Sequence, residues 1–84
     1  MNKLTFELNI LSPEKTIFHG EVTKVALPGT AAPFTVLRNH APLVSSLQKG
    51  VIRWQAGAPG EIAIKDGFVE VKNNVVTACV ELEQ

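Results

Sequence analysis

The sequence predicts an all-β domain, a sandwich or barrel of about eight to ten short strands, on three observations. Short apolar or alternating runs recur at close spacing from Lys3 to Leu82. Turn chemistry separates them at Ser12-Pro13, Pro28-Gly29, Asn39 to Pro42, Lys49-Gly50 and Asn73-Asn74. No stretch places its apolar residues at helical spacing. With 84 residues the chain is one domain, spanning 1–84. A chain of this size buries a little over about 60% of its unfolded surface, so its core is modest.

Lys3 to Ile10 alternates, with Leu4, Phe6, Leu8 and Ile10 on one face and Lys3, Thr5, Glu7 and Asn9 on the other. Side chains of a strand point to opposite faces in turn, so this reads as a strand with one wet face. Ser12-Pro13-Glu14 turns the chain. Lys15 to His19 follows as strand, and Gly20 is expected to allow a bend or bulge. Glu21 to Leu27 is the next strand, ended by Pro28-Gly29: proline presets φ for the first corner of a turn, and glycine accepts a positive φ at the second. Phe34-Thr35-Val36-Leu37 is a short apolar strand. Pro42 holds Ala41 extended and has no N–H for a sheet ladder, so the next strand, Leu43 to Leu47, begins after it. Val51 to Trp54 reads as strand, Ala56 to Gly60 as a loose tip, and Glu61 to Lys65 as strand. Asp66-Gly67 predicts a hairpin between that strand and Phe68 to Val71. Asn73-Asn74 is a second turn pair suited to positive φ, and Val75 to Leu82 closes the domain. This last strand is apolar at Val75, Val76, Ala78, Cys79 and Val80, so its outer side is expected to be covered by another element or by a partner.

Eight basic and eight acidic residues cancel. Without a cationic excess or a basic run, nucleic acid and anionic membrane surfaces are poor partners. A single cysteine excludes an internal disulfide and supplies no zinc site by itself; Cys79 reads as a small buried hydrophobe, and a reducing, cytoplasmic-type compartment is the default. No run of 18 apolar residues exists to insert in a membrane as a helix, and Met1-Asn2-Lys3 shows no signal or transit pattern. His19 and His40 are the only histidines, and no His-x-His or His-x-x-x-His spacing pairs them with a metal. His40 with Ser45 suggests a hydrolase at first sight, but no nucleophile-elbow glycines surround Ser45 or Ser46. No enzyme activity, metal or cofactor is expected. The chemistry points to a binding or structural module. A free-standing ligand-binding sandwich is the alternative, with Trp54 as its candidate aromatic platform.

LPGTAAPFTVLRNHAPLVSSLQKGVIRW closely resembles the epsilon subunit of the rotary F-type ATP synthase. The matching pieces are Leu27-Pro28-Gly29, Phe34-Thr35-Val36-Leu37, His40-Ala41-Pro42-Leu43, Leu47 with Gly50, and Ile52-Arg53. Leu11 to Lys15, Phe18 to Val22, Asp66 to Val71 and Asn74 to Thr77 also match, in order along the chain. The resemblance implies an antiparallel β-sandwich of about ten strands. It further implies a non-catalytic rotor subunit of the central stalk, linking the gamma subunit to the membrane c-ring and coupling ion flow to ATP synthesis. The expected place is the cytoplasmic face of the bacterial inner membrane, as a peripheral part of the complex. Carried over by position, His40, Leu43 and Ser45 fall where family members approach gamma, and Gly29, Thr30, Ala31, Ala32 and Pro33 fall at the c-ring.

Two departures shape the expectation. The family usually continues into a C-terminal helical hairpin that inhibits ATP hydrolysis in some members and binds ATP in others; without it, no ATP binding is expected. The loop after Leu27-Pro28-Gly29 often carries an acidic residue and a glycine in the family, whereas Thr30-Ala31-Ala32-Pro33 is uncharged. Contact with the c-ring there is expected through apolar packing or backbone hydrogen bonds.

Overall fold

Period-two alternation becomes one hydrogen-bonded sheet of eight strands that folds back on itself. The computed structural model describes residues 4–83. Its strands are β1 (Phe6–Leu11), β2 (Thr16–Val22), β3 (Lys24–Leu27), β4 (Phe34–Val36), β5 (Leu43–Leu47), β6 (Gly50–Gln55), β7 (Pro59–Lys72) and β8 (Val75–Leu82). The order across the sheet is β2-β1-β8-β7-β6-β3-β4, with β5 also paired to β7. All pairs are antiparallel except β1 with β8, which is parallel. Lys3, the expected start of the first strand, lies outside the described residues; Leu4 precedes β1 and is exposed.

The eight strands stand at the low end of the expected eight to ten because β7 does not turn at Asp66-Gly67. It runs for 14 residues, pairing with β6 through its first half and with β5 through its second. β8 lies along its other edge, with a register shift between Ile64 and Asp66. That bulge bends the strand from one layer into the other, the usual consequence of an inserted residue. Gly67 has no positive φ; its role is steric. A Cβ there would sit 3.0 Å from Val80 Cα and closer still to the Cys79 carbonyl oxygen. Glycine at this point lets β7 and β8 keep contact through the bend. Gly20 likewise stays within β2, and the chain breaks instead at Thr23.

Where φ > 0 is required, asparagine supplies it. Asn73 and Asn74, at φ 52° and 61°, make the two-residue turn between β7 and β8, a geometry that matches sheet twist. Asn39, at φ 67°, turns the chain after β4. The two turns are bonded together: Asn39 N–H donates to Asn74 Oδ1 (2.6 Å) and Asn74 Nδ2 donates to Asn39 Oδ1 (3.0 Å). Glu7 N–H donates to the Asn74 carbonyl at 3.0 Å. Asn74 therefore ties the Asn39–Pro42 turn, β1 and the β7–β8 turn at one end of the sandwich. Asn74→Ala is expected to cost about 1–2 kcal/mol by combining lost hydrogen bonds with a strained positive φ; urea unfolding checks it.

One core lies between the layers. Leu8 and Ile10 of β1, Val25 of β3, Ile52 of β6, Ile64 and Val69 of β7, and Val76 and Ala78 of β8 are fully buried. Phe18 of β2 and Trp54 of β6 close its margin, with ring centroids 4.7 Å apart, a spacing typical of favourable tilted pairs. β8 keeps both faces from open solvent over most of its length: Val76, Ala78 and Val80 face the core, while Val75, Thr77 and Cys79 are half-buried on the outer side. Flanking strands β1 and β7 give that outer side its partial cover.

Candidate functional site

The two ends of β5 hold the segments singled out by the sequence. β3 and β4 pair with Leu27 opposite Phe34 and Val25 opposite Val36. The loop 28–33 therefore lies at one end of the sandwich and the turn 37–42 at the other. β5 runs back between them, its five residues covering about 15 Å.

At the first end the loop is pinned at its root and open at its tip. Gly29 bridges to Leu47. Thr30 N–H donates to the Ser46 carbonyl (3.1 Å), Gln48 N–H donates to the Pro28 carbonyl (2.9 Å), and the Thr30 and Ser46 hydroxyls are 2.7 Å apart. Gly29 is buried, and a Cβ on it would meet the Ala32 carbonyl at 2.6 Å and the Phe34 ring at 2.9 Å, so the turn closes only on glycine. Thr30, Ala31, Ala32 and Pro33 are exposed. The tip offers small side chains and free backbone groups, with no charge of its own.

At the second end, His40 N–H closes a turn on the Leu37 carbonyl (3.2 Å), and His40 Nδ1 lies 2.7 Å from the Ala41 carbonyl oxygen, which it faces as a donor. Ser45 Oγ donates to the Ser46 carbonyl at 2.9 Å. His40 and Ser45 do not bond each other, so the base–nucleophile contact of a hydrolase is absent from this pair. Leu37, Arg38, Ala41 and Pro42 are exposed around the turn.

On β5 the alternation divides the expected residues. Leu43, Ser45 and Leu47 stand opposite Val71, Val69 and Gly67 of β7 and point inward: Leu47 is buried, Leu43 packs on the core and Ser45 is half-buried. Val44 and Ser46 point out, and Val44 is 73% exposed. The outward residues of β5 were not singled out by the sequence reading. Leu43, Ser45 and Leu47 share one parity, and that signal was available.

Val44 belongs to a broad outer face built by β2, β1, β8, the second half of β7 and β5. Ladder pairing sets Leu11, Cys79, Phe68 and Ser46 in one transverse row. Asn9, Thr77, Glu70 and Val44 form the next. Phe68 is 55% exposed. His19 Nδ1 meets Asn9 Oδ1, and Asn9 Nδ2 donates to Glu7 Oε2 at 2.9 Å, so the polar end of the face is internally bonded. Trp54, by contrast, lies against Phe18 and over Gly60, where a Cβ would overlap its ring. It is half-buried and packed on the core, and its remaining surface lines a shallow groove with Lys24, Arg53 and Pro59.

The family model described as the ATP synthase, delta/epsilon chain, β-sandwich domain matches residues 5–82. The ATP synthase epsilon chain of Desulfitobacterium hafniense (strain DSM 10664 / DCB-2) is 46% identical over 74 residues, covering 87% of this chain and 56% of its own length. The epsilon chain of Leptospira borgpetersenii serovar Hardjo-bovis (strain JB197) is 41% identical over 71 residues, covering 83% and 56%. The chain thus spans a little over half the length of these relatives. In fold it is similar to a chain of the Euglena gracilis mitochondrial ATP synthase, solved as OSCP/F1/c-ring, with a TM-score of 0.84 at 20% identity over 90% of this chain and 50% of that one. A chain of the Tetrahymena thermophila mitochondrial ATP synthase central stalk and c-ring matches with a TM-score of 0.76 at 14% identity, covering 89% and 62%.

Proposed function

The chain belongs to the family of the ATP synthase delta/epsilon chain β-sandwich domain, and from that membership we propose that it is a non-catalytic rotor subunit of the central stalk. Its role is to join the gamma subunit to the c-ring, so that ion flow through the membrane part is coupled to ATP synthesis. The working site is peripheral, on the cytoplasmic face of a bacterial inner membrane. The family match over residues 5–82 carries this reading. The geometry supports it with exposed surfaces at both ends of one rigid strand, β5.

The exposed tip Gly29 to Pro33 is the c-ring contact in this reading. Its small, uncharged side chains suit a close approach through backbone hydrogen bonds and van der Waals packing. Gamma takes the turn around His40 and the outward side of β5. Leu43 and Ser45 support that surface from beneath, and Val44 and Ser46 present it. Obligate interfaces gain chiefly from buried apolar area, so Leu37, Pro42 and Val44 contribute more here than Arg38.

Membrane vesicles whose ATP synthase has been stripped of its own epsilon subunit test this function. Adding the chain is expected to restore gradient-driven ATP synthesis. Deleting Ala31 and Ala32 is expected to leave gamma binding unchanged and to weaken docking on the c-ring by about tenfold or more, equivalent to about 1.4 kcal/mol. Failure of the intact chain to bind the stripped complex would overturn the assignment.

A further inference from the structure

The loop after β3 and the end of β5 meet in one small hydrogen-bond network. At the root of the loop the contacts are made by backbone: Gly29 bridges to Leu47, and Gln48 N–H donates to the Pro28 carbonyl at 2.9 Å. The Pro28 ring lies against Gly50 of β6, where a Cβ would stand 2.8 Å from Pro28 Cβ. Past this root a single residue, Thr30, holds the tip. Ala31, Ala32 and Pro33 are exposed and carry no hydrogen bond of their own among the described residues.

Thr30 is bonded twice to one partner. Its N–H donates to the Ser46 carbonyl (3.1 Å), and its hydroxyl lies 2.7 Å from the Ser46 hydroxyl. The same carbonyl accepts from Ser45 Oγ at 2.9 Å, so both of its lone pairs are in use. The two serines stand on opposite faces of β5, Ser45 across from Val69 and Ser46 across from Phe68, yet both act on the atoms that receive Thr30. Any residue at position 46 keeps the backbone bond, whereas only a hydroxyl there adds the second. One bond leaves Thr30 a pivot; the pair fixes its direction.

We infer that Ser46 is a positioning residue for the c-ring contact, holding Thr30 so that Ala31, Ala32 and Pro33 meet the ring in one arrangement. The inference rests on the c-ring reading of the loop proposed above and deepens it by naming what aims the tip. A loop ordered before it docks has less conformational freedom to lose on binding. The uncharged tip makes that order count. With no ion pair to draw the loop in, affinity depends on how closely its small side chains and backbone groups approach. Ser46 is two residues from Val44, so the strand offered to gamma also aims the loop offered to the ring.

The test measures binding of the chain, in complex with its gamma subunit, to detergent-purified c-rings. It compares the wild type, Ser46→Ala, Thr30→Val, the double variant, Ser46→Thr and the deletion of Ala31 and Ala32. In the free chain, backbone amide order parameters of Ala31 and Ala32 are read by NMR. Ser46→Ala and Thr30→Val are each expected to weaken docking by about threefold to tenfold, the range that one hydrogen bond supplies. The double variant is expected to be no weaker than the weaker single one, because both remove the same bond. Ser46→Thr keeps the hydroxyl and is expected to dock within about twofold of the wild type. In Ser46→Ala the order parameters of the tip are expected to fall from about 0.85 toward about 0.6, with the thermal midpoint little changed because both residues are exposed. Suppose the deletion weakens docking while Ser46→Ala docks like the wild type, or the two single losses add in the double variant. The inference then falls and the c-ring reading of the loop stands. Unchanged order of the tip in Ser46→Ala, or Ser46→Thr docking as poorly as Ser46→Ala, would overturn it in the same way. If the deletion has no effect either, or the wild type does not dock, both fall.

Discussion

Leu8→Ala is expected to remove about 3 kcal/mol of stability, within the range of about 2–5 for large-to-small changes in a core. Leu8 is fully buried in β1, between Gly20 of β2 and Val76 of β8. Gly20 has no side chain to swing into the space, and the Phe18 ring lies over it, 3.2 Å from where a Cβ would stand. Phe18 in turn is held by Trp54. The hole therefore has little means to collapse, which is the condition that makes cavity mutants costly. For a chain of 84 residues total stability is on the order of 4–12 kcal/mol, so one methyl-rich side chain is a large share of it. The thermal midpoint is expected to fall by roughly 12–24 °C. Calorimetry or circular dichroism melting reads this directly; a fall of only a degree or two would mean that β1 is not the central strand of its layer.

Adjacent residues of β5 are expected to respond to the same substitution in opposite ways. Val44→Asp places a carboxylate on a side chain that is already 73% exposed, so the fold changes by no more than about 0.5 kcal/mol. Its effect is expected in binding: at the gamma contact proposed above, a desolvated charge costs about tenfold or more in affinity. Leu43→Asp puts the carboxylate against Val71 and the core. The expected loss there is about 3 kcal/mol of stability, because a charge without a partner is being buried. Paired melting and gamma-binding measurements separate the two. Loss of gamma binding by Leu43→Asp alone, in a protein that still melts like the wild type, would reverse the assignment of faces on β5.

Much of this architecture is legible in local pattern. The alternation of Phe6, Leu8 and Ile10 sets the buried face of β1, Asn73-Asn74 announces its turn, and Pro42 marks the start of β5. The one expected turn that does not form has a long-range cause. Asp66-Gly67 has the composition of a hairpin turn, but there glycine serves a close approach of β7 to β8, a long-range contact that no dipeptide reveals. The last strand is apolar on both faces, and Val75 and Cys79 sit half-buried on its outer side between β1 and β7. On β5 the period of two sets Leu43, Ser45 and Leu47 inward and Val44 and Ser46 outward, a division legible in the strand's own alternation. The tie between Thr30 and Ser46 joins residues 16 apart in sequence, so it becomes visible only once β5 is placed beside the loop.

Co-elution with the gamma subunit is the most direct measurement of the central claim. The tagged chain, expressed together with its own gamma subunit, is passed over a sizing column at micromolar concentration. The stalk assignment predicts one peak holding both proteins in equal amounts. A folded chain that elutes apart from a folded gamma subunit would contradict it.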